Sequence, residues 1–188
     1  MTRCKWCNLK NPKYVEYHDH EWGEACHDDG RLFEMLILEG FQAGLSWECI
    51  LNKREAFRAV FDNFDVRKVA KYGETKLKAL AANPNIVRNR LKIAAAVVNA
   101  QAFIKVQQEF GSFDKYLWGF AHGVLCDCPL PVVEWDKTHS ILSDSLSKDL
   151  KKRGFKFVGT TIVYSLLQAI GIINSHEPGC YLHKKPQQ

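Results

Sequence analysis

Cys4 and His18 stand near one end of this chain, and His176 and Cys180 near the other. Two thiolates and two imidazoles make a complete tetrahedral set for one zinc ion, with no position left for water. His176 and Cys180 are four residues apart, so a single turn can point both at the same ion. If the four meet, the metal staples the first residues of the chain to the last, and any fold must bring its termini together. A closed site far from a cleft is structural, so chemistry has to be sought elsewhere. Two neighbours leave the ligand set open: Cys7 forms a Cys-x-x-Cys pair with Cys4, and His20 follows two residues after His18.

The seven cysteines are an odd number, which suits metal ligands and buried thiols better than a disulfide framework. No apolar run reaches membrane-spanning length, and Met1-Thr2-Arg3-Cys4 lacks the apolar core of a signal peptide. A soluble, cytoplasmic protein without a membrane partner is expected. Hydrophobic residues make up 46% of the 188, enough to bury a real core, and we expect one unit spanning residues 1–188. The net charge of +5 permits an acidic partner such as nucleic acid without requiring one.

The periodicity predicts an all-α fold. Asp28 and Asp29 offer caps for a helix to about Phe41, and Ser46 caps the next, through Trp47, Ile50, Leu51, Phe57 and Phe61. Short helices are expected after Asp65 and Thr75. A long one runs from about Val87 to Gly111, and Ser112 caps another through Trp118. The stretch 126–135, with Pro129 and Pro131, reads as a loop. The last two helices span about Ile141–Arg153 and Val158–Ile170, stopped by Gly154 and Gly171. Hairpin turn signals are missing.

One carboxylate is out of place. Glu39 follows Leu32 by seven residues, Met35 by four and Leu36 by three, which puts it on their apolar face. A buried carboxylate is costly without partners. It is either a salt-bridged or cap-bound glutamate near a helix end, or a pocket group for base recognition or charge stabilisation. The next residues, Gly40-Phe41-Gln42-Ala43-Gly44-Leu45-Ser46-Trp47, form a glycine-bracketed turn offering an apolar wedge and a flat ring. Tyr14, Tyr17, Trp22 and Trp47 can cage a planar ligand, although aromatic residues more often fill cores.

A second cluster is basic. Lys148, Lys151, Lys152, Arg153 and Lys156 crowd around Gly154-Phe155-Lys156-Phe157-Val158-Gly159-Thr160-Thr161. Two glycines flanking a hydrophobic residue, then small hydroxyl residues, resemble a helix-hairpin-helix turn, in which backbone N–H groups at a helix start grip a phosphate without reading sequence. The plain alternative is a solvated lysine face ending at a glycine cap. Arg88, Arg90 and Lys92 are candidates for a second phosphate contact.

Taken together, these residues resemble the 3-methyladenine DNA glycosylase I (Tag) family of the helix-hairpin-helix glycosylases. The resemblance runs from Arg3-Cys4 to Cys180. It is most specific in Tyr17-His18-Asp19-His20-Glu21-Trp22-Gly23, Leu38-Glu39-Gly40, Gln42-Ala43-Gly44-Leu45-Ser46-Trp47 and the stretch from Lys151 to Thr161. It implies a monofunctional enzyme that flips 3-methyladenine out of double-stranded DNA, hydrolyses its glycosidic bond and releases the free base. It places one structural zinc on Cys4, His18, His176 and Cys180, and the pocket glutamate on Glu39, with Tyr17 and Trp47 around the base. Gly44 and Leu45 match the segment inserted into the DNA stack, with Gln42 beside it, while Lys152, Lys156, Gly159 and Thr160 fall on the phosphate-binding hairpin. Action as a monomer fits this class. The chain departs from the wider superfamily after the hairpin helix, where Gly171-Ile172-Ile173-Asn174-Ser175-His176 holds no aspartate; Glu39 is then the better candidate carboxylate. Two rival readings remain: a zinc-stapled DNA-binding protein without activity, and a glycosylase for another modified base.

Overall fold

The computed structural model describes residues 1–125 and 137–183, so the loop expected over 126–135 lies outside the described residues. Among the described residues there are nine α-helices, one short 3-10 turn and no strand. The helices are α1 (Pro12–His20), α2 (Asp29–Gln42), α3 (Trp47–Val60), α4 (Val66–Val69), α5 (Glu74–Ala82), α6 (Arg90–Phe110), α7 (Phe113–Ala121), α8 (Ile141–Lys152) and α9 (Thr160–Ala169); the 3-10 turn is Asp62–Phe64. None is long and apolar enough to cross a membrane.

Local chemistry sets most helix starts. Asp28, Ser46 and Ser112 each accept a backbone N–H three residues on, from Arg31, Cys49 and Lys115, as their positions predict. The long helix begins at Arg90 rather than Val87 because Asn89 is its cap, accepting from Leu91 N and Lys92 N. Helix α1 has no apolar periodicity to announce it. It forms because Asn11 caps it and Pro12 occupies its first turn.

Helix α2 is the central strut, buried from Leu32 through Phe41 and packed against α3, α6, α7 and α9. Aromatic pairs fill the space around it, including Phe41 with Phe57 at 4.8 Å and Phe103 stacked on Phe113 at 4.0 Å. Helices α8 and α9 pack together through a tight turn. Gly154 takes φ +94° there, a left-handed conformation that glycine adopts without penalty. Phe155 and Val158 bury their side chains beneath the turn, and Ser147 Oγ donates to the Val158 carbonyl at 2.6 Å. Phe157 is left-handed as well, at φ +55°, so α9 starts two residues later than the sequence pattern suggests.

Candidate functional site

A cavity of about 450 Å³ opens where α1, α2, α3 and α9 meet the two ends of the chain, and Trp6, Tyr14, Tyr17, Trp22, Glu39, Gln42 and Trp47 line it. All four aromatic residues expected at a pocket are therefore in its wall. Tyr17 and Trp47 lie 5.3 Å apart at 46°, and Trp6 packs on Tyr14 at 5.3 Å and edge-on to Trp22 at 4.8 Å. Such a box accepts a flat ring and stabilises it by stacking and area burial.

Glu39 is only 3% exposed, and its Oε2 has no hydrogen-bond partner in the protein. Burial pushes its pKa up to about 8; desolvation penalises the charged form. Burial in this site therefore favours the neutral acid over the carboxylate. Trp47 Nε1 and Ser175 Oγ are also buried without protein partners, and both residues face the same cavity. Buried polar atoms rarely stay unpaired, because each costs on the order of 1–3 kcal/mol. Unpaired atoms converging on one cavity describe a ligand that brings the missing partners.

Beside the cavity mouth, Gly44 takes φ +80° and turns the chain out of α2, leaving Leu45 42% exposed. The hairpin turn lies close by: a Cβ at Gly40 would sit 3.6 Å from Phe157 Cβ. Lys152 and Lys156 are exposed, and Gly159 heads α9 with no side chain capping the first amides. Arg153 is spent on structure, with Glu109 at 2.6 Å and Asp149 at 2.5 Å. Lys92 corrects its expected role as a phosphate contact. It is buried, and its Nζ donates to the carbonyls of Phe41 at 2.9 Å and Ala43 at 2.5 Å.

The segments that carry Cys4 and Cys180 do converge. One ligand atom each from Cys4, His18, His176 and Cys180 lies within 4.8 Å of the others, and all four residues are buried. Cys4 Sγ to His176 Nδ1 is 3.5 Å, Cys180 Sγ to His18 Nε2 is 3.5 Å, and Cys180 Sγ to His176 Nδ1 is 3.6 Å. Zinc with bonds of about 2.3 Å to sulfur and 2.0–2.1 Å to nitrogen at tetrahedral angles sets S and N about 3.5 Å apart, so the donor set fits. An outer layer orients it: His18 Nδ1 lies 2.9 Å from Asp19 Oδ1, and Arg3 clamps Asp19 with two bonds of 2.7 and 2.6 Å. Cys7 points to the Tyr14 carbonyl, and exposed His20 lies by Glu16, so neither belongs to the cluster. The cluster is nearer the cavity than its place at the termini implies. Trp22 meets the His176 ring at 4.6 Å and Trp6 meets His18 at 5.2 Å.

Sequence reasoning missed Trp6, Ser165, Gln168, Ser175 and Glu177, which also line the cavity. Trp6 stands two residues after the candidate ligand Cys4, and Ser175 and Glu177 flank the candidate ligand His176. Their adjacency to the ligands was the available signal. Ser165 and Gln168 share one face of α9, three residues apart, and nothing in the sequence aims that face at Glu39.

The methyladenine glycosylase family matches residues 6–183. The chain is 45% identical over 188 residues to DNA-3-methyladenine glycosylase 1 of Escherichia coli (strain K12), covering 99% of this chain and 100% of that one. It is 38% identical to DNA-3-methyladenine glycosylase of Haemophilus influenzae, covering 95% and 96%. A crystallised variant of 3-methyladenine DNA glycosylase I in complex with 3-methyladenine superposes with a TM-score of 0.89 at 38% identity, covering 98% of this chain and 99% of that one.

Proposed function

The chain belongs to the methyladenine glycosylase family, and from that premise we propose how its cavity works. The protein is a DNA-3-methyladenine glycosylase, a hydrolase of N-glycosyl bonds that excises 3-methyladenine in base excision repair. The observation that carries the mechanism is Glu39, a buried carboxyl without a protein partner in an aromatic cavity.

Methylation at N3 makes the adenine of a nucleotide cationic, so the glycosidic bond is already weak and the base departs neutral. Strong acid catalysis of the leaving group is unnecessary. The remaining work is to extrude one nucleotide, hold its base, and admit water to a sugar with oxocarbenium character. Stacking between Tyr17, Trp47 and the other rings is worth about 1–3 kcal/mol per base, which offsets much of the few kcal/mol that flipping costs. A cationic base entering the cavity lowers the cost of ionising Glu39, whose proton leaves to solvent, and the resulting carboxylate accepts the base's hydrogen bonds. A neutral adenine supplies no such charge. Selectivity over unmodified adenine follows from electrostatics at a buried carboxyl.

Around this pocket, Leu45 enters the base stack behind the flipped nucleotide, with Gln42 and Gly44 beside it. The α8–α9 turn serves as the helix-hairpin-helix that grips duplex DNA. Lys152 and Lys156 neutralise phosphate, and the amides at Gly159 and Thr160 supply donors at a helix start. Cys4, His18, His176 and Cys180 would hold one zinc ion in a structural role, and Trp6 and Trp22, packed on His18 and His176, would tie the aromatic wall to it. Residues 1–188 act as one unit, and action as a monomer fits this family.

Incubation with N-methylated duplex DNA, followed by analysis of released bases, tests this reading. We expect 3-methyladenine and no 7-methylguanine; DNA binding without release of any base would favour a non-catalytic damage sensor. Metal analysis should give one zinc per chain, and chelation should lower the melting temperature. Coordination through Cys7 in place of Cys4 would defeat the ligand set.

A further inference from the structure

Helix α6 contributes nothing to the cavity wall, yet two buried polar side chains on it reach into both elements assigned to DNA. Lys92 is 7% exposed and Asn99 is 3% exposed. Lys92 Nζ donates to the carbonyls of Phe41 and Ala43 at 2.9 and 2.5 Å, where α2 ends and the Gly44-Leu45 wedge begins. Asn99 reads the hairpin turn at both backbone groups of one residue: its Oδ1 accepts from Lys156 N at 2.7 Å, and its Nδ2 donates to Lys156 O at 3.0 Å. Seven residues apart, they share one face of α6, separated by two helical turns or about 10.5 Å of rise.

Between them the helix is kept small. Ala95 and Ala96, with Ile37, Gly40, Phe41 and Phe157, close around a narrow gap that lets the wedge side of α2 approach the turn. Phe157 is left-handed at φ +55° and 38% exposed. For a bulky residue this is a strained state that persists only when its surroundings impose it. Asn99 on Lys156 and Ser147 on Val158 impose it from either side. The Lys92 ammonium lies 6.0 Å from the Phe157 ring centre, so the two anchors meet around that side chain.

We propose that Lys92 and Asn99 are positioning residues that make α6 a spacer, holding the Leu45 wedge at a set distance from the phosphate-gripping hairpin. The inference rests on the assignment of those two elements to DNA. A hairpin seated on phosphate then places Leu45 in register with the base pair to be opened, so backbone grip is converted into extrusion. Neither residue touches the base. Losing either anchor leaves the pocket intact while the wedge and hairpin drift relative to each other.

The test measures three properties of Lys92→Met and Asn99→Ala: melting temperature, binding of free 3-methyladenine by tryptophan fluorescence, and excision from methylated duplex DNA. Either change removes hydrogen bonds from buried backbone groups, so duplex excision should fall by about tenfold or more, with free-base affinity unchanged in the folded fraction. Asn99→Asp, which keeps the acceptor for Lys156 N–H, should recover part of the loss. The double variant should lose less than the product of the two single losses, because one distance is being set. Free-base binding and duplex excision falling together, in step with melting temperature, would overturn the spacer and leave two structural bonds. So would full duplex excision by either folded variant. Wild-type protein that releases no 3-methyladenine would instead sink the functional reading itself, which separates the two failures.

Discussion

Glu34 and Glu39 lie on the same helix, five residues and about 140° of helical rotation apart, and both are nearly fully buried, at 5% and 3% exposure. Their surroundings differ completely. Arg54 Nε and Arg58 Nε donate to Glu34 at 2.8 and 2.7 Å, and Arg54 also clamps Glu21 with bonds of 2.6 and 2.7 Å. Burial pushes the Glu34 carboxyl up, but hydrogen bonds from Arg58 and Arg54 outweigh it and bring its pKa below the usual value. Glu39 has no such partners. A buried carboxylate is therefore no mark of a site by itself. The mark is a buried carboxylate whose partners are missing and whose free oxygen meets a cavity.

The largest consequence is that the two glutamates tilt stability with pH in opposite directions. Glu39 is held neutral to about pH 8 against an ordinary value of 4.5. Its contribution is fully present below pH 4.5 and is lost as pH rises towards 8, on the order of 5 kcal/mol across that window. Glu34, with a depressed pKa, contributes above pH 4.5 and loses that contribution as pH falls below it. Urea denaturation of wild type and Glu39→Gln at several pH values isolates the first slope. The variant should be relatively more stable at pH 8 than at pH 5, and parallel curves would mean that Glu39 is charged in the empty protein.

Next in size is the paired side. Arg54→Met leaves Glu34 half-partnered and Glu21 unclamped, and breaking a buried ion pair costs about 3–5 kcal/mol. The midpoint of denaturation should fall sharply, while the folded fraction binds free 3-methyladenine as wild type does. A stable Arg54→Met protein that cannot bind the base would place this network inside the site and break the contrast.

Glu39→Gln probes the other side directly. A charge-assisted hydrogen bond is worth about 1.5–3 kcal/mol, so single-turnover excision should drop roughly ten- to a hundredfold. Affinity for undamaged DNA should be unchanged. A larger loss would add a role towards water or the sugar cation. A destabilised but fully active variant would make Glu39 a structural residue like Glu34.

The contrast also explains what could be read from the chain. Glu39 was legible because its spacing from Leu32, Met35 and Leu36 broke an apolar face, and the metal set because four ligand types stood at fixed local spacings. Most helices announced themselves through caps such as Ser46 and Ser112 and through periodicity. Glu34 gave no comparable signal: its partners stand 20 and 24 residues away on α3, and only tertiary packing brings them together. The same holds for Ser165 and Gln168, placed by the way α9 crosses α2, and for Lys92, whose charge suggested phosphate. Its burial beside two carbonyls is a tertiary fact. Local chemistry is written in neighbouring residues, whereas partnership across helices is not.

The smallest effect tests whether missing partners are a property of the cavity or of Glu39 alone. Ser175 is 7% exposed, its Oγ has no protein partner, and it lines the cavity beside the candidate metal ligand His176. An unpaired buried hydroxyl costs free energy in the empty protein. Ser175→Ala should therefore leave stability unchanged or raise it by up to about 1 kcal/mol. If the hydroxyl is there for the ligand, the same change should weaken free 3-methyladenine binding by a factor of up to about ten, the scale of one neutral hydrogen bond. Ser143 gives the control, since its hydroxyl donates to the Ser140 carbonyl at 3.0 Å and lies 3.0 Å from Thr160 Oγ1. Ser143→Ala should lower the melting temperature and spare base binding. If Ser175→Ala instead destabilises the fold and binds the base normally, unpaired polar atoms around this cavity do not mark the ligand, and Glu39 must carry recognition with the aromatic rings alone.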